Sequence, residues 1–133
     1  MEIELCYVFP RGDSHLSNFW RFLNTYAENP PGAPHRTIIL TDEGPLDETV
    51  ELAKAVFDKP FIFQWHDRAL DIGRYQGWAG HSAADVLLFC GGSTYFRKPG
   101  WMTRIQHSVS RYGKDALYGY GLVNVAAAIA SLV

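Results

Sequence analysis

Residues Ile3 to Phe9 form an unbroken run rich in β-formers that ends at Pro10 with Gly12 just beyond, the pattern of a strand entering a loop. From Ser14 to Glu28, apolar side chains at Leu16, Phe19, Trp20, Leu23 and Tyr26 recur at spacings of three and four, with Asp13 or Ser14 placed as a cap, so this stretch reads as an amphipathic helix. The segment from Asn29 to Pro34 carries three prolines, which fix φ and remove donors, and predicts a rigid connector. Thr37 to Thr41 is a short apolar run of the kind covered on both sheet faces, and it ends in the polar loop Asp42-Glu-Gly-Pro45.

A second helix is expected from Asp47 to Asp58, with Val50, Ala53, Val56 and Phe57 on one side and Lys59-Pro60 as its stop. Phe61 to Trp65 reads as a third strand, and a helical segment begins near Asp71. Asp85 to Cys90 is the most hydrophobic strand and is expected at the centre of the sheet. After the loop Gly91-Gly-Ser-Thr94, a helix from Pro99 to about Tyr112 carries Trp101, Met102, Ile105 and Val109 in register. Leu117 to Tyr120 reads as one more strand, and Val123 to Val133 is Ala-rich and apolar.

Strands alternating with helices imply βαβ units. The predicted fold is an α/β, Rossmann-like open sheet, mostly parallel, with helices on both faces and right-handed crossovers. At 133 residues, 47% hydrophobic and 20% charged, the chain suits a single domain with its own core. The net charge of −2, with signs interspersed, offers no field for nucleic acid or a membrane surface. Cys6 and Cys90 stand in apolar strands, where a free Cys behaves as a small hydrophobe, and no disulfide framework is expected. No basic leader precedes an apolar stretch and no run reaches the length of a membrane helix, so the expected location is cytoplasmic.

In open α/β sheets ligands bind beyond the carboxyl ends of the strands. Those positions are Pro10 to Asp13, Asp42 to Gly44, His66-Asp67 with Asp71 to Gly73, and Gly91 to Ser93. Short carboxylates beside flexible backbone suit ribose hydroxyls and base edges, and paired glycines let a backbone approach phosphate. The same residue types are also the ordinary loop formers of any α/β domain, so composition alone supports a plain loop reading equally.

Order and spacing add a resemblance. Over roughly residues 2–120 the chain resembles the first, nucleotide-binding half of a GT-A-type nucleotide-sugar glycosyltransferase. The matching landmarks are Tyr7-Val-Phe-Pro10, the acidic turn at Asp42, and Asp71-Ile-Gly-Arg-Tyr-Gln-Gly-Trp-Ala79. They continue with Ala83-Ala-Asp-Val-Leu-Leu-Phe89 and Thr94-Tyr-Phe-Arg-Lys-Pro-Gly-Trp101. The resemblance implies recognition of a nucleotide or nucleotide sugar through Pro10, Asp42, Asp71, Arg74 and the Gly91 and Gly92 backbone, with sugar transfer to an acceptor as the associated activity. A module that kept the scaffold for binding or assembly is the alternative.

The chain departs from that family where an Asp-x-Asp motif would align, because it reads Cys90-Gly91-Gly92-Ser93. Two carboxylates there would hold manganese or magnesium against a diphosphate, whereas a thiol and two glycines would not, so no metal site is expected. Arg97 and Lys98 are a candidate replacement charge, weighed against a plain surface pair. After Gly121 a dozen residues remain, so an acceptor-binding half is not expected in this chain, and the apolar 123–133 segment is expected to support self-association.

No catalytic base is evident. The five histidines lack an i, i+4 pair with acidic company, and only His66-Asp67 falls near the expected cleft. Ser82 and Ser93 lack a Gly-x-Ser-x-Gly elbow, and Gly91-Gly92-Ser93 is too short for a Walker loop. Trp20, Phe22, Trp65, Trp78, Phe96 and Trp101 are expected in the core and helix packing rather than as a sugar platform.

Overall fold

The computed structural model describes residues 1–10, 13–42, 44–65 and 71–113. Among them strands and helices alternate as β1 (Ile3–Phe9), α1 (Asp13–Glu28), β2 (Arg36–Asp42), α2 (Asp47–Val56), β3 (Phe61–Trp65), α3 (Asp71–Ala79), β4 (Val86–Cys90) and α4 (Trp101–Tyr112). The four strands make one parallel sheet in the order β3-β2-β1-β4. No helix among the described residues is long and apolar enough to cross a membrane.

All seven residues of β1 are buried, as a strand with neighbours on both edges and helices over both faces must be. Because side chains alternate, Ile3, Leu5, Tyr7 and Phe9 enter one apolar cluster while Cys6 and Val8 enter the other. The first cluster takes Phe19, Phe22 and Leu23 from α1, Ala53 from α2, and Met102, Ile105 and Val109 from α4. The second takes Tyr75 and Trp78 from α3, which meet Ile38, Leu40 and Phe89. Right-handed crossovers account for this division. The steps from β1 to β2 and from β2 to β3 go one way and set α1 and α2 on one face, whereas the step back from β3 to β4 sets α3 on the other.

Two expectations need correction. The apolar run ending at Cys90 is not central among the described residues; β1 and β2 hold the middle and β4 lies at an edge, with Val86 and Leu87 half-buried. Its hydrophobicity follows from cover on its faces, since Leu88 and Cys90 face the first cluster and Phe89 the second. The last helix starts at Trp101 rather than Pro99, because Gly100 sits in the left-handed region at φ 75°. The proline connector caps this helix: the Pro30 carbonyl accepts from the Gly100 N–H at 2.7 Å and the Pro31 carbonyl from Met102 at 3.0 Å. Prolines remove donors but leave carbonyls free for this use. His66-Asp67, the 117–120 strand and the 123–133 segment lie outside the described residues.

Candidate functional site

With β1 flanked by β2 on one side and β4 on the other, the strand order reverses at β1, and the carboxyl ends of β1 and β4 are where an open α/β sheet of this order would take a ligand. The sequence candidates fall at this end of the sheet in two groups.

The first group is an arginine between two carboxylates. Arg74, on α3, is nearly buried, with 9% of its side chain exposed, while the Asp42 and Asp71 side chains remain 37% and 48% exposed. Its Nη2 donates to Asp42 Oδ1, and its Nη1 forms an ion pair with Asp71 Oδ1 at 3.6 Å, three residues earlier on the same helix. Asp42 is the last residue of β2, and its backbone carbonyl accepts from Gln64 Nε2, which also bonds the Gly44 carbonyl. The planar guanidinium therefore presents two half-exposed carboxylates at the strand ends in fixed orientation.

The second group joins the ends of β1 and β4. A Cβ added at Gly92 would stand 3.3 Å from the Val8 carbonyl oxygen and 3.6 Å from Pro10 Cδ, so glycine is what lets this loop close onto β1. The Gly92 carbonyl accepts a 2.6 Å bond from the Tyr7 hydroxyl, and the Thr94 N–H turns back to the Gly91 carbonyl. Between the two groups lies Tyr75, whose hydroxyl would be 4.0 Å from a Cβ at Gly91.

Among the described residues the donors at the strand ends do not suit a divalent cation. Cys90 is buried, and burial pushes its thiol up to about 12 against a smaller opposing effect of a hydrogen bond with Thr94, so it stays a neutral thiol. Asp42 and Asp71 are both turned to Arg74. Among the described residues no group of three or more His, Cys, Asp or Glu is arranged to hold a metal ion.

Arg97 and Lys98 are exposed, but away from the strand ends. Neighbouring Phe96 and Gly100 bond to Asn29 and Pro30, at the far end of α1, so this pair is not a charge for the crevice. Among the described residues, Arg21 of α1 reaches the loop after β4: its Nη2 donates to the Ser93 carbonyl at 3.1 Å and its guanidinium lies 4.5 Å over the Tyr95 ring. Sequence reasoning passed over Arg21, Tyr7 and Tyr75. The first two contacts span 72 and 85 residues and leave no local signal, whereas the Asp71 and Arg74 spacing is legible on a helix. Phe22 and Phe96 are core residues against which Trp101 packs, and Trp78 is in the core on the other face of the sheet, but Trp20 is 43% exposed, contrary to expectation, because it stands on the outer side of α1.

No family model matches the chain, and no curated protein matches it. Among solved structures, S. aureus TarS, a glycosyltransferase, matches over 84% of this chain with a TM-score of 0.59 at 11% identity. The chain spans 20% of the length of that protein. At this identity the likeness shows the fold, an open α/β sheet of glycosyltransferase-like form.

Proposed function

We propose that this chain binds a nucleotide or nucleotide sugar across the carboxyl ends of β2, β1 and β4, through Asp42, Asp71, Arg74, Pro10 and the backbone of Gly91 and Gly92. The observation that carries this reading is the buried Arg74 held between two half-exposed carboxylates in a glycosyltransferase-like fold. Arg74 orients both carboxylates, which then accept hydrogen bonds from ribose hydroxyls or a base N–H. The glycine pair leaves room for a phosphate chain beside β4. In a sugar-transfer reaction the same residues would orient the donor and hold its leaving group.

A second reading, a binding or assembly module without nucleotide, rests on one observation: Asp42 and Asp71 are already paired within the protein by Arg74. A titration with UDP, GDP and CMP and their sugars, with and without manganese, separates the two by thermal shift and ligand-observed NMR. Metal-independent binding that is lost in Asp42→Ala and Asp71→Ala supports the nucleotide site. Binding that requires manganese contradicts the assignment of the loop after β4, and silence toward every nucleotide favours the module.

A further inference from the structure

Two buried side-chain polar atoms among the described residues have no hydrogen-bond partner, and they belong to consecutive residues of the candidate site: Arg74 Nε and the Tyr75 hydroxyl. A buried hydroxyl without a partner is disfavoured, and phenylalanine at the same place would avoid that cost. Packing gives no reason for the oxygen. The Tyr75 ring is fully buried and lies against Phe89 with centroids 4.5 Å apart, a contact that Phe would keep.

Gly91 is equally unexplained by the fold. It is not among the glycines at positive φ, and an added Cβ would meet one described atom within 4 Å, the Tyr75 hydroxyl, at ordinary contact distance. Backbone conformation therefore does not require glycine here, nor does steric fit. Two residues that the fold leaves unexplained thus face each other at the end of β4, one a polar atom without a partner and the other a missing side chain.

We propose that the Tyr75 hydroxyl donates a hydrogen bond to a phosphate oxygen of the bound nucleotide, in the space that the missing side chain of Gly91 leaves beside it. This deepens the nucleotide reading and rests on it. Asp42 and Asp71 accept hydrogen bonds, so they suit the hydroxyl-bearing end of a nucleotide, whereas a donor beside β4 suits its anionic end. Burial, with smaller contributions from Asp71 and the cysteines, raises the Tyr75 hydroxyl well above its usual value, so it remains a protonated donor throughout the physiological range.

The test compares wild type, Tyr75→Phe and Gly91→Ala, using UDP and uridine as probes by calorimetry and urea denaturation as the check on fold. Tyr75→Phe is expected to be at least as stable as wild type without ligand and to bind UDP roughly tenfold more weakly, the size of one hydrogen bond to a charged acceptor, with uridine binding unchanged. Gly91→Ala is expected to fold normally and to weaken UDP in the same selective way. Equal UDP affinity in wild type and Tyr75→Phe, or equal losses for UDP and uridine, overturns the assignment while leaving the nucleotide reading in place. Wild type that binds neither probe nor any other nucleotide overturns both.

Discussion

The Tyr7 hydroxyl and the Gly92 carbonyl, 85 residues apart in sequence, meet at 2.6 Å and tie the loop after β4 to the strand beside it. Tyr7 is fully buried, with its ring stacked on Phe22 at 3.8 Å and near Phe19 at 5.9 Å between centroids. Tyr7→Phe keeps that stacking and removes the tie alone. The expected cost is about 1–2 kcal/mol in urea denaturation, with faster amide exchange confined to residues 91–94. Unchanged exchange in that loop would show that the Gly92 packing on Val8 and Pro10 holds it without the tyrosine.

Glu4 is a buried carboxylate at the opposite, amino-terminal end of the sheet, 2% exposed. Its Oε1 accepts from Trp78 Nε1 at 3.0 Å and from the Ser82 hydroxyl at 2.6 Å, and its Oε2 lies 3.5 Å from Arg36 Nη1. These contacts join β1 to α3 and to the turn that follows it. Removing the carboxylate leaves two donors unpaired, so Glu4→Ala is expected to lower stability by about 3 kcal/mol. The Arg36 side chain is 45% exposed, and Arg36→Ala is expected to cost under about 1 kcal/mol. Similar losses in the two variants, measured by denaturation, would mean that the ion pair rather than the two hydrogen bonds anchors this corner.

The layered core was legible in the sequence because it follows from periodicity. The three-and-four spacing from Leu16 to Tyr26 and the unbroken apolar run of β1 each admit few arrangements in a parallel sheet. Glu4 was not legible, since a single acidic residue in a strand gives no sign of partners at positions 36, 78 and 82. Helix ends were misjudged where tertiary contacts decide them. Pro99 suggested a start for α4, but the carbonyls of Pro30 and Pro31 and the left-handed Gly100 place it at Trp101. The carboxylates and glycines of the candidate site were legible from the strand-end rule and Arg74 from the family resemblance, whereas the pairing of Arg74 with Asp42 spans 32 residues and leaves no local signal.

His35 couples stability to pH. Its Nε2 and the Tyr26 hydroxyl lie 2.9 Å apart, its Nδ1 is 3.1 Å from the Ala33 carbonyl, and its ring lies near Trp101. Donation from Nδ1–H to that carbonyl leaves Nε2 as acceptor for the tyrosine, which is the neutral tautomer. Burial lowers its pKa from 6.5, only partly opposed by the bond to Ala33. The folded state therefore binds the proton less readily than the unfolded chain. The His35 contribution is fully present above the unfolded value near 6.5 and is lost as pH falls from there through the lower folded value. Urea midpoints measured from pH 8 to pH 5 are expected to fall below about 6.5, and His35→Gln should flatten that part of the profile. A slope unchanged in His35→Gln would assign the proton linkage to another group.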